Sequence, residues 1–115
     1  MELSDDIIRL QREVEAFARE RLGGSGVERD REGVFWRDGW SACGEAGILG
    51  IPVPTACGGR GAGLLATIVA METLGRNVDD LGLLFALNAH LWAGVIPMQV
   101  TFGEPVRDIA PVAAE

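Results

Sequence analysis

Residues 47–63 constrain this chain more than any other stretch. Gly47-Ile48-Leu49-Gly50-Ile51-Pro52-Val53-Pro54 carries two prolines, and Thr55–Gly63 packs four glycines into nine residues. Each proline removes a backbone donor and pushes the preceding residue toward extended geometry, so no long helix or inner strand can run through. The glycines that follow mark a loop with unusual backbone angles. Regular structure must therefore lie to either side.

Before the loop, Ser4 is placed to cap a helix, with Asp5 and Asp6 complementing the positive end of its dipole. Ile7, Leu10, Val14, Phe17, Ala18 and Leu22 recur at spacings of three and four and form one apolar face, and Gly23-Gly24 is a natural stop. Gly23–Gly33 reads as a polar connector with solvated charges at Glu28, Arg29, Asp30, Arg31 and Glu32. A shorter helix is predicted from about Phe35 to Glu45, partly burying Phe35, Trp36 and Trp40.

After the loop, Leu64–Arg76 is apolar nearly all round, which predicts a helix buried on most sides, with Glu72 and Arg76 paired on its exposed edge. Asn77–Asp80 breaks it and supplies an acidic cap for the next helix, about Asp80 to Gly94. That helix carries Gly82, Ala86, Ala89 and Ala93 on one side, small residues that let another helix or a ligand come close. Val95–Phe102 reads as a separate short helix with Pro97 in its first turn, and a last helix is expected from about Glu104 to Ala113. No strand pattern or internal repeat is present. The expectation is an all-α fold, an orthogonal bundle of about six helices forming a single domain over residues 1–115.

The formal charge is −7, and all ten bases are arginine. Such a balance disfavours nucleic acid, which needs a clustered positive surface, and anionic membranes, which would repel it. The acidic start is unlike a secretory leader, and no run approaches the roughly 18 apolar residues that a membrane span requires, so a cytoplasmic location is expected. Cys43 and Cys57 lack metal-ligand spacing, so no metal is expected, and neither thiol has a lysine or histidine neighbour in sequence to activate it. His90, the sole histidine, has no nucleophile nearby in sequence and reads as a packed residue. The carboxylate pairs Asp5/Asp6, Glu13/Glu15 and Asp79/Asp80 look solvated, unlike a general base with a raised pKa. The glycine loop lacks a P-loop lysine and the dinucleotide spacing. No catalytic residue is expected.

The order of these features resembles the N-terminal helical domain of the acyl-CoA dehydrogenase family. Residues 47–63 are similar to its "GLLGIPVPEEYGGLG" stretch, Met71-Glu72-Thr73-Leu74-Gly75-Arg76 to its "EELAR" helix ending, and Leu87-Asn88-Ala89-His90-Leu91 to its "VHNSL" region. Phe102-Gly103-Glu104-Pro105 and Pro111–Glu115 resemble "FGTEEQ…LPRLASGE". Cys57 departs from the family, standing where an aromatic residue usually precedes Gly-Gly.

The resemblance implies a structural share of an active site. In that family a β domain and a C-terminal helical domain hold FAD and the thioester and supply the proton-abstracting glutamate, while the N-terminal bundle caps the flavin domain and walls the acyl cavity. The corresponding wall here is Gly82, Phe85, Ala86, Ala89, His90 and Ala93. The expected function is a non-catalytic subunit of a split dehydrogenase, inactive alone. Its partner is a truncated acyl-CoA dehydrogenase-like flavoprotein that holds FAD, and its substrate an acyl thioester on coenzyme A or on a carrier protein. The alternative is a scaffold or regulatory module docking on a complete acyl-CoA dehydrogenase.

Overall fold

In a computed structural model, the chain is described over residues 2–102. The expected last helix, about Glu104 to Ala113, lies outside those residues. Six α-helical segments and no strand are present among the described residues: α1 Asp5–Arg21, α2 Gly26–Glu32, α3 Arg37–Glu45, α4 Gly63–Asn77, α5 Leu81–Asn88 and α6 Ile96–Phe102.

Helix α1 begins as the sequence predicts, with the Ser4 hydroxyl oxygen accepting from the Ile7 amide at 3.3 Å. Its apolar face lies chiefly against α4. There Leu10, Val14, Ala18 and Leu22 are buried and join Cys43, Ile48, Leu49, Ile51, Leu74, Leu83, Leu87 and Leu91 in one core. Ile7 and Phe17 pack on its edge.

Three features differ from expectation, each for a tertiary reason. The connector at 23–33 contains the two-turn α2, too short and too polar to stand alone. It is held from outside: a Cβ on Gly26 would come within 2.6 Å of the Asp79 carbonyl, so only glycine allows that approach. Helix α4 is not buried on most sides. Ala66, Val69, Ala70, Met71 and Leu74 are covered, but Leu64, Leu65 and Ile68 in its first half are exposed. Finally, α5 does not stop at Gly94. It continues through a π-helical segment, Ala89–Val95, directly into α6, so residues 81–102 form one rod. Pro97 follows the π segment, where the widened turn accommodates its missing N–H.

By length and composition this rod, Leu81–Thr101, could cross a membrane, with mean hydropathy 1.5 in an 18-residue window. The expectation that no run approaches that measure is corrected, because Asn88, His90 and Gln99 interrupt an apolar count without adding charge. The core helix of a soluble protein meets the same criterion. Here Leu83, Leu87, Leu91 and Val95 are buried in the bundle.

Candidate functional site

The glycine loop closes on itself. Six consecutive amides find carbonyls within it: Cys57 and Gly59 donate to Pro54, Gly58 to Thr55, Arg60 to Gly50, Gly61 to Val53 and Ala62 to Ile51. Gly59 is required there, since a Cβ would lie 2.2 Å from the Val53 carbonyl oxygen. A phosphate cradle needs free N–H groups converging on one point, and these are all engaged. Arg60 is engaged too, with Nη2 2.9 and 2.8 Å from the two Glu13 carboxylate oxygens and Nη1 3.4 Å from the Ala46 carbonyl. It thereby ties the loop to α1. A groove of about 480 Å³ runs beside it, past Arg9 and Glu13, and both arginines on its walls already hold carboxylates. The loop therefore does not fit a dinucleotide phosphate.

The residues expected to wall an acyl cavity lie on the rod. Gly82, Phe85, Ala89 and Ala93 share its outer side and are exposed, with Phe85 77% exposed. Ala86 and His90 are half-buried at the margin. The His90 ring meets Trp40 edge-on, with centroids 5.5 Å apart, and Trp40 in turn lies 6.2 Å from Phe35. The small-residue stripe is thus not covered by another described helix of this chain. Within the rod the Asn88 side-chain N–H donates to the Leu84 carbonyl at 2.8 Å, and its Oδ1 accepts from the Trp92 indole N–H at 2.9 Å.

One charged node escaped the sequence reading. Arg29 and Asp80, both expected in solvent, form an ion pair with Nε 2.6 Å from Oδ2, and Asp80 is only 6% exposed. The second Asp80 oxygen accepts from the Leu83 amide at 2.8 Å and caps α5. The Arg29 guanidinium also lies 3.8 Å from the centre of the Trp36 ring. One arginine therefore fastens α2 to the N-cap residue of α3 and to the start of the rod. The available signal was weak: Asp80 stands at a helix start, but sequence spacing cannot reveal a partner 51 residues away.

Both cysteines are free and buried, and desolvation pushes the Cys43 thiol up to about 12. Among the described residues no three histidine, cysteine or acidic side chains gather to hold a metal.

These features define a helical bundle with an apolar rod bare along one side. Residues 4–105 match the family model for the acyl-CoA dehydrogenase N-terminal domain, so the chain belongs to that family. It is 40% identical over 96 residues to an L-prolyl-[peptidyl-carrier protein] dehydrogenase from Pseudomonas fluorescens, with 83% of this chain and 25% of the relative covered. It is 33% identical over 91 residues to the mitochondrial isovaleryl-CoA dehydrogenase of Pongo abelii, with 77% of this chain and 22% of the relative covered. The crystal structure of the prolyl acyl carrier protein oxidase AnaB superposes with a TM-score of 0.89 at 32% identity, covering 98% of this chain and 30% of that one. The chain thus spans about a quarter of the length of the curated relatives it matches.

Proposed function

We propose that this bundle is a non-catalytic component of a dehydrogenase of acyl thioesters, covering a flavin-bearing body and walling the acyl pocket. The observation that carries this reading is the rod. Residues 81–101 contain no charged side chain, and Leu81, Phe85 and Val100 are 77, 77 and 82% exposed. A large apolar side chain left in water forgoes roughly 1.5–3 kcal/mol of burial free energy, and exposed apolar surface of this kind marks an interaction site.

The body that covers it is a second, truncated acyl-CoA dehydrogenase-like chain, which holds the FAD used by this family. Gly82, Phe85, Ala86, Ala89, His90 and Ala93 face the acyl group in the complex. Their small or aromatic side chains suit an alkyl or ring substituent and keep water from it. The names of the carrier-protein relatives, at 40% and 34% identity, support a thioester on a carrier protein over one on coenzyme A. Two free buried thiols suit assembly in a reducing cytoplasm.

Co-expression with the flavoprotein partner, followed by sizing and an absorbance scan, tests the proposal. A yellow co-eluting complex whose flavin bleaches on adding an acyl thioester, where neither chain alone responds, is the expected result. A flavoprotein that is fully active without this chain would overturn it and favour the scaffold.

A further inference from the structure

The bare side of the rod repeats every four residues. Leu81, Phe85, Ala89, Ala93, Pro97 and Thr101 are exposed, while Leu83, Leu87, Leu91 and Val95 are buried on the other side. In an uninterrupted α-helix of 3.6 residues per turn, a four-residue repeat winds round the axis by about 40° at each step. The π segment Ala89–Val95 has a wider turn and takes up that drift midway, so one seam faces outward along the whole rod.

The seam is complementary to itself. Two rods laid antiparallel about the level of Leu91 bring Ala89 against Ala93 at the centre, then Phe85 against Pro97, and Leu81 against Thr101 at the ends. Alanines at the centre let the backbones come close, and the larger side chains beyond them fill the gap that opens as crossing helices diverge. Charge permits the same pairing. The chain carries −7, so two copies repel, yet residues 81–101 hold no Asp, Glu, Lys or Arg and the rods bring no such side chains together. The area is sufficient for a weak dimer. The outer half of a helix about 11 Å across and about 32 Å long offers on the order of 500 Å², so two copies bury on the order of 1,000 Å², the lower bound for specific association.

We propose that, without a flavoprotein to cover the rod, two copies of this chain pair antiparallel along the seam as a two-fold dimer, Ala89 of each lying against Ala93 of the other. Self-association of this kind is independent of the function proposed above. Where that function holds, the flavoprotein takes the seam only by displacing the second copy.

Sedimentation velocity of the 115-residue chain from about 1 µM to about 500 µM tests the dimer. The expected result is a shift from the chain mass to twice that mass, with no larger species. Ala93→Glu sets a carboxylate at the centre of the seam and is expected to stay monomeric throughout, with the wild-type helical signal and melt in circular dichroism. Leu64→Glu makes the same charge change on the exposed start of α4 and is expected to dimerise as the wild type does. Register is read separately: Ala89→Cys and Ala93→Cys chains, mixed and air-oxidised, are expected to crosslink to each other in preference to themselves, the two native thiols being buried. A wild-type chain that stays monomeric, or that grows into ever larger species, overturns the dimer and leaves the proposed function standing. Equal loss in Ala93→Glu and Leu64→Glu, or a preference for self-crosslinking, overturns the antiparallel seam. A dimer that persists in excess flavoprotein upholds the pairing and overturns the covering of the rod by that chain.

Discussion

The C-terminal half of α4 and the outer side of the rod are both apolar, yet they have opposite fates. Between Val69 and Leu74 the apolar α4 side chains are taken up by α1 and α5, and Leu74 has no exposure at all. Along the rod, Leu83, Leu87 and Leu91 are equally buried, but Leu81 and Phe85, only a few residues away, stand in solvent. Hydropathy indicates that a surface is better covered and is silent on what covers it. In this bundle the inner surface finds its cover within the described chain. The outer one, which also carries the family's expected acyl wall, does not.

Truncating the covered side should have the largest effect. Leu74→Ala is expected to cost about 3 kcal/mol in urea unfolding followed by circular dichroism, the usual range for a buried leucine whose cavity cannot collapse. A loss below about 1 kcal/mol would mean that the α1–α4 contact is far looser than its burial implies.

Cys43 sharpens the same contrast through pH. Its thiol is raised from 9.0 to about 12 by burial, so the folded chain keeps a proton that the unfolded chain releases. The stabilisation is fully present below pH 9 and is lost as pH rises from 9 toward 12. Cys43→Ala should flatten that alkaline decline in thermal melts. In the native protein Cys43 should resist a maleimide at pH 8 until denaturant is added, and prompt labelling would show the core to be open.

The smallest effect belongs to the bare side. Phe85→Ala should change the stability of the isolated chain by less than about 0.5 kcal/mol, since little contact is lost. In the proposed complex the same substitution should raise KM for the acyl thioester or weaken assembly. A Phe85→Ala variant that destabilises the isolated chain as much as Leu74→Ala would abolish the distinction between the two surfaces.

Much of the fold was legible in local pattern. Ser4 caps α1, Leu10, Val14 and Ala18 face inward, Glu72 and Arg76 meet at 3.9 Å, and Pro52 and Pro54 exclude a long element. What failed was every feature set by distant residues. Helix α2 has no apolar face to announce it and is braced by Asp79 and Asp80. The break placed at Gly94 reflected an intrinsic penalty that packing overrides, because a π segment carries the rod past Gly94 and α6 runs on through Pro97. The candidate acyl wall came from the family resemblance, with small-residue spacing giving only its face, and the structure leaves Gly82, Phe85, Ala89 and Ala93 on that face exposed.

By itself the sequence determined the helical class, the position of the loop at 47–63 and membership of the acyl-CoA dehydrogenase N-terminal family. Those properties follow from periodicity, capping and backbone restriction, which act over a few residues. The tertiary structure decided which apolar faces are covered and which arginine is buried. It also decided whether the glycine loop's amides are free, since burial and pairing depend on residues brought together from far apart in the chain.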